Sequence, residues 1–303
     1  MIVVLSMNPS MDKTAALERF FPDRPNRIRV ERRDLGGKGI NVANAVHALG
    51  GKCLLTGFDF PGAPVAEGLA AAGIRHRLVE VPGTLRINMK LREEETGRTI
   101  EINEAGADVT SEQLQRLTDA LMDACRPGDW VSLSGSLPPG VPADTYVCLC
   151  DHLKRKGCLV AVDCDGEPLR RAIDAGPRLI KPNAQEFAAL TGASPADEAA
   201  AEEACRALMR RGVGMVCLSL GGQGARLYTP WDVFVCPAAP VTPRGVQGAG
   251  DAMLAGLLTA FDRGNHEKDA LRFASAAAGA SVMRPGTLLC RMEDVNVLLA
   301  ADW

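Results

Sequence analysis

The chain has 303 residues, 47% hydrophobic and 23% charged, with a formal net charge of -3. That is enough apolar chain for one large core with a small appendage at most. The charge balance supplies no basic field, which argues against nucleic acid or a membrane surface as the main partner. The N-terminal run Met1–Ser6 lacks a basic leader and no apolar run approaches the roughly 18 residues of a membrane span, so a cytoplasmic location is expected. Ten cysteines lie scattered through apolar segments and read as reduced thiols. Cys148 and Cys150 form C-x-C, and His47, His76, His152 and His266 fall in no zinc-ligand spacing.

In chain order, Ile2–Ser6 predicts a core strand, with Asn8 and Asp12 just beyond its carboxyl end. Residues 13–35, rich in Arg and Pro, interrupt the pattern; a helix near 40–49, a strand over Lys52–Gly57 and a helix near 63–72 follow. Residues 75–104 interrupt it again, and Arg86–Leu91 with Arg98–Ile102 read as a polar-faced hairpin. Thereafter strands over Trp130–Ser134, Cys158–Asp163, Leu179–Lys181 and Met215–Leu220 alternate with helices near 111–124, 142–156, 183–191 and 196–211. Longer helices follow near 249–263 and 267–284. This alternation predicts an α/β fold, a mostly parallel sheet between two helical layers. The segments 13–35 and 75–104 are expected to form a small β lid inserted in one domain spanning 1–303.

Familiar nucleotide motifs are missing: neither G-x-x-x-x-G-K-[ST] nor G-x-G-x-x-G after a strand occurs, and Ser134-Gly135-Ser136 is not G-x-S-x-G. The most informative stretch is Gly248-Ala249-Gly250-Asp251, three backbone amides and a carboxylate at the start of the apolar helix Ala252–Leu258. Glycine lets backbone approach a ligand, and a helix N-terminus carries about half a positive charge. Such a site can hold a phosphate and deprotonate a hydroxyl; a Gly-rich turn closed by a capping Asp also fits. Gly36-Gly37-Lys38-Gly39-Ile40-Asn41 opens another helix. Gly37 would admit a sugar, Asn41 can donate to and accept from hydroxyls, and Lys38 can meet a phosphate, although a capped helix with a solvated lysine competes. Asn8 and Asp12 fall where open α/β sheets bind ligands, and a turn at Asn8-Pro9 competes. In Lys181-Pro182-Asn183 with Glu186 a strand runs into a helix. Asn183 and Glu186 fit a capping box, and equally fit oxygens that hold waters around Mg²⁺ on nucleotide phosphates. Ser219–Ala225 reads as a hairpin turn or as a shelf for a nucleotide.

Taken in order, Gly37–Ala43, Ser134–Gly140, Lys181–Glu186, Ser219–Gly224 and Gly248–Asp251 resemble the ribokinase-like PfkB carbohydrate kinases across nearly the whole chain. Asn8-Pro9 with Asp12, Arg86-Ile87-Asn88 and Glu101-Ile102-Asn103-Glu104 look most like the 1-phosphofructokinase and tagatose-6-phosphate kinase branches. The resemblance implies transfer of the γ-phosphoryl group of ATP to a ketohexose phosphate, foremost fructose 1-phosphate, with tagatose 6-phosphate or fructose 6-phosphate as alternatives and a non-catalytic sugar-phosphate-binding regulator as the outsider. By matching positions it implies Asp251 as base and the amides of Gly248, Ala249 and Gly250 on the transferring phosphoryl. Asp12, Gly37 and Asn41 would hold hydroxyls, while Arg86, Lys38 and Arg27 would grip the existing phosphate. Lys181, Asn183, Ser219, Gly221 and Gly224 would line the nucleotide, and Asn183 and Glu186 would order Mg²⁺. A homodimer through the lid is implied in the same way. The chain departs from the family pattern at Gly245-Val246-Gln247, which puts an amide beside the anion hole, and at Asp59-Phe60-Pro61-Gly62 near the sugar crevice.

Overall fold

The computed structural model describes residues 1–245, 247–284 and 290–303. Its first half contains β1 (Ile2–Ser6), β2 (Ser10–Leu17), β3 (Arg29–Gly36), α1 (Lys38–Ala48), β4 (Cys53–Asp59), α2 (Val65–Ala71), β5 (Arg75–Glu80), β6 (Arg86–Glu93), β7 (Thr99–Asn103), α3 (Ser111–Ala124) and β8 (Trp130–Ser134). Then come α4 (Thr145–Arg155), β9 (Leu159–Asp163), α5 (Gly166–Ala172), β10 (Leu179–Ile180), α6 (Ala184–Thr191), α7 (Glu198–Arg210), β11 (Val216–Ser219), β12 (Ala225–Tyr228), β13 (Val233–Cys236), α8 (Ala249–Asp262), α9 (Glu267–Val282) and α10 (Met292–Ala300).

Nine strands form one sheet in the order β13-β12-β11-β10-β9-β8-β1-β4-β5. All neighbours are parallel except β11 with β12 and β12 with β13. Every residue of β1 is buried, as a central parallel strand covered on both faces must be. Its side chains alternate between two cores: Ile2 and Val4 pack with α1, α2, α8, α9 and α10, whereas Val3 and Leu5 pack with α3 to α7. The expected three-layer sandwich is therefore the fold. From β1 the chain builds β4 and β5 on one side and returns to place β8 on the other, so the order reverses between β1 and β8. A crevice opens at the carboxyl ends of strands at such a reversal.

The other four strands form a separate sheet, β3-β2-β6-β7. Strand alternation gives it two unlike faces. Ala15, Leu17 and Leu91, with Met89 and Ile100, make an apolar cluster on one face. On the other, Asp12 pairs in register with Asn88, Asn88 with Asn103, and Lys90 with Glu101. The lid boundaries need correction. Arg75–Glu80 lies inside the segment assigned to the lid, yet it pairs in parallel with β4 and forms the edge of the main sheet. The lid sheet also starts earlier than residue 13, at Ser10.

Candidate active site

Glycines bring the site's elements together. Gly37 caps α1 at φ 98°, a left-handed backbone that glycine adopts without strain, and a Cβ there would sit 3.2 Å from Pro9 Cα. Two residues on, a Cβ on Gly39 would lie 2.6 Å from Ser6 Cβ, so α1 crosses the end of β1 at backbone contact. Gly248 caps α8 at φ 74° with no side-chain cap, leaving the first amides of that helix for another acceptor. The apolar sequence of α8 buries it on all sides behind that end.

The starts of α1 and α8 meet through one buried hydrogen bond: Asn41 Nδ2 donates to Asp251 Oδ2 at 2.8 Å. Burial pushes the Asp251 carboxyl up, and the nearby Asp163 adds to this; Lys38, Asn41 and Lys181 oppose without cancelling it. A carboxyl shifted this way is a stronger proton acceptor than an exposed aspartate.

Asp163, at the end of β9, is a site residue that motif reading passed over. It lies 3.1 Å from Lys38 Nζ through Oδ1 and 3.3 Å from Lys181 Nζ through Oδ2. Burial works against its ionised form, but Lys181 and Lys38 outweigh burial and hold its carboxyl below the usual range. For Lys38, burial is outweighed by Asp163, Glu186 and Asp251, and its ammonium is held charged above the ordinary lysine range. Its one hint in the sequence is its place at the end of the apolar strand Leu159–Asp163, on the ligand-binding edge of the sheet.

Glu186, 3.6 Å from Lys38, ties the start of α6 to the same cluster. Asn183 caps this helix, its Oδ1 accepting from the backbone N–H of Gln185 and Glu186, while Glu186 Oε2 accepts from Asn183 N–H at 2.9 Å. Both readings of this motif survive, because the capping box leaves Glu186 Oε1 facing Lys38. No group of three or more metal-ligating side chains occurs among the described residues. A Mg²⁺ ion carried on phosphates needs only one or two protein carboxylates and water, which Glu186 and the neighbouring Asp163 fit.

Lys181 and Lys38 share the partner Asp163. Lys181 is buried against Asp163 at 4% exposure, and a Cβ on Gly250 would lie 3.3 Å from its Nζ, so it sits beneath the α8 start. Lys38 is turned to Asp163 and Glu186, whereas Arg86 is turned to the exits of β1 and β7. Arg86 donates to the carbonyls of Asn8 (2.9 and 3.2 Å), Pro9 (3.4 Å) and Glu104 (3.2 Å). These bonds leave one N–H on each terminal nitrogen for an anion. Burial lowers the Arg86 pKa even though Asp12 and Glu104 favour its charge. Arg27 is exposed between β2 and β3 and makes none of these contacts.

Asn8 ties the two sheets together, donating to the Ala105 carbonyl at 2.9 Å and to Ser136 Oγ at 3.2 Å. Asp12 lies on the polar face of the small sheet, bonded to Ser10, Asn88 and Lys90. Across the mouth, Gln247 Nε2 donates to Glu101 Oε1 at 3.4 Å. Val246, part of the same departure, lies outside the described residues.

Ser219 bridges in parallel to Asn183, which sets the turn after β11 beside the start of α6. Among the described residues, Gly221 (φ 58°) has nothing within 4 Å of an added Cβ, whereas a Cβ on Gly224 (φ 90°) would run into the Cys236 carbonyl oxygen. Gly221 is open to a ligand, while Gly224 is explained by chain packing.

An α/β sandwich with a small sheet at the carboxyl edge of its strands, converging helix starts and a buried carboxylate defines an enzyme of anionic small molecules. The chain belongs to the pfkB family of carbohydrate kinases, whose model matches residues 2–294. It is 33% identical over 280 residues to a 1-phosphofructokinase of Rhodobacter capsulatus, covering 91% of this chain and 88% of the relative. It is 32% identical to the ATP-dependent 6-phosphofructokinase isozyme 2 of Mycobacterium tuberculosis, covering 97% and 88%. The structure of phosphofructokinase-2 from Escherichia coli in complex with substrates and products superposes with a TM-score of 0.92 at 27% identity, over 99% of this chain and 98% of that one.

Proposed function

We propose that this sugar kinase phosphorylates a ketohexose phosphate with ATP, and that fructose 1-phosphate is its preferred acceptor. The observation that carries the reading is Asp251: a buried carboxylate with a raised pKa, fixed by Asn41 and set among amides at the start of α8 that no side chain caps among the described residues. Asp251 takes the proton of the acceptor hydroxyl as its oxygen bonds to the γ-phosphorus. The bond from that phosphorus to the bridging oxygen breaks, and ADP leaves with the electron pair. The amides from Gly248 to Asp251 balance charge on the transferring group, a contribution as large as that of the base in comparable sites. Lys38, held charged by Asp163 and Glu186, faces that group rather than the sugar's own phosphate. Arg86, with two unused N–H donors and no carboxylate partner among the described residues, grips the sugar's phosphate. Glu186 and Asp163 would hold Mg²⁺, which when bound neutralises phosphate charge. Asp12 accepts from a sugar hydroxyl, Ser219 and Gly221 line the nucleotide, and the small sheet excludes water.

Fructose 6-phosphate is the second reading, supported by the likeness to phosphofructokinase-2. A coupled assay of ADP release across fructose 1-phosphate, fructose 6-phosphate, tagatose 6-phosphate and fructose separates the two. The highest kcat/KM is expected on fructose 1-phosphate; equal activity on unphosphorylated fructose would contradict the role of Arg86.

A further inference from the structure

The polar face of the small sheet holds a buried ion pair whose lysine has no part in the chemistry above. Lys90 Nζ lies 2.9 Å from Asp12 Oδ2. Oδ1 of the same carboxylate accepts from Ser10 Oγ at 2.7 Å and from Asn88 Nδ2 at 3.2 Å, and Nδ2 also donates to Ser10 Oγ at 3.0 Å. Because a carboxylate only accepts, it fixes which end of the Asn88 amide points toward it. Gly36 packs against another side, since a Cβ there would sit 2.7 Å from Asp12 Cγ. Ser10, Asp12 and Lys90 are 0%, 4% and 9% exposed, so the cluster is largely buried and only an edge of Asp12 and Lys90 reaches the surface.

Holding the small sheet together does not explain this pair. The sheet's apolar cluster lies on the opposite face. Taking an ammonium and a carboxylate out of water is expensive, and an apolar pair of similar volume generally serves stability as well or better. What the arrangement does supply is a carboxylate fixed in both torsions with its charge balanced. Its two oxygens offer about four acceptor sites, and the three bonds named leave one, on Oδ2.

We propose that Lys90 is a positioning residue for sugar recognition, clamping Asp12 so that its remaining acceptor site meets a hydroxyl of the sugar phosphate. The inference rests on the sugar-phosphate reading above. It needs no contact between Lys90 and the substrate.

A double-mutant cycle on fructose 1-phosphate tests it, with Asp12→Asn, Lys90→Met and the double variant. Each is measured for kcat, for both KM values, and for sugar-phosphate Kd by calorimetry. Each single substitution is expected to raise KM and Kd for the sugar phosphate about tenfold or more, with KM for ATP within about twofold. In the Asp12→Asn background, Lys90→Met adds less than about twofold, because its effect passes through the carboxylate that Asp12→Asn has already removed. Independent, multiplying effects would overturn the proposal, and so would wild-type KM and Kd in Lys90→Met. Where Lys90→Met does not yield folded protein, Lys90→Gln repeats the cycle with the same deciding outcomes. Failure of the unmodified protein to turn over any ketohexose phosphate would instead overturn the functional reading, and the calorimetric cycle would still decide on Lys90. Absence of sugar-phosphate binding as well would overturn both.

Discussion

Asp251 and Asp163 divide the labour of the site by environment. Both are buried, but Asp163 has two ammonium partners and Asp251 has an amide, so one carboxyl is held down and the other pushed up. With Asp251 as the proposed base, kcat should fall as pH drops through its raised pKa, on the acid side of the optimum. The negative charge of Asp163 contributes to that elevation. Asp163→Asn removes the charge and frees two lysines, both of which favour ionised Asp251, so the acid limb should move to lower pH. The phosphate of the sugar titrates near pH ~6 in either protein and cannot produce the shift. A pH profile of kcat for both proteins checks this; an unmoved limb would separate the two carboxylates. Sequence pattern picked out Asp251 because it follows a glycine run at a helix start. It missed Asp163 because a lone aspartate ending a strand has no neighbours in sequence that mark it; its partners Lys38 and Lys181 are brought to it only by the fold.

Among the elements, those with strong local signals were legible. The buried strands Ile2–Ser6 and Trp130–Ser134, and the helices from 111 to 124 and from 249 onward, stand where the sequence pattern places them. Short elements at the sheet's antiparallel end, β12 and β13, were not anticipated, and neither were α5 and α10. Four-residue strands such as Ala225–Tyr228 carry too few positions for a period to show. The misassigned edge strand β5 has the same cause in reverse: the pattern Arg75-His76-Arg77 looks solvent-facing because only one side of an edge strand is covered. The turn between β11 and β12 gives an element-scale prediction. Gly224→Ala forces a side chain against the Cys236 carbonyl at a left-handed φ. Overpacking of this kind costs about 1–3 kcal/mol. Denaturant unfolding should show that loss, whereas a purely ligand-binding glycine would leave stability unchanged and raise KM for ATP alone.

Over the whole molecule, the small sheet is the part whose role is least legible from local pattern, because its two faces answer to different partners. The polar face carries Asp12 and Glu101, and Glu101 accepts from Gln247 just before α8. The apolar face leaves Val30, Ile87 and Ile102 39%, 38% and 53% exposed. Exposed apolar residues grouped on one face of a small sheet mark a contact surface. We propose that a second copy of the chain covers it. Sedimentation at micromolar concentration should give a dimer that Ile102→Asp converts to monomer; a monomeric wild-type protein would refute the assembly.

In the proposed reaction Asp251, at the meeting of α1 and α8, abstracts the acceptor proton for phosphoryl transfer to a sugar phosphate. Single-turnover formation of fructose 1,6-bisphosphate from fructose 1-phosphate and ATP by the wild type and by Asp251→Asn tests it most directly. The predicted result is a loss of about 10²- to 10⁴-fold in the variant with sugar-phosphate affinity retained. Near-normal turnover by Asp251→Asn would contradict it.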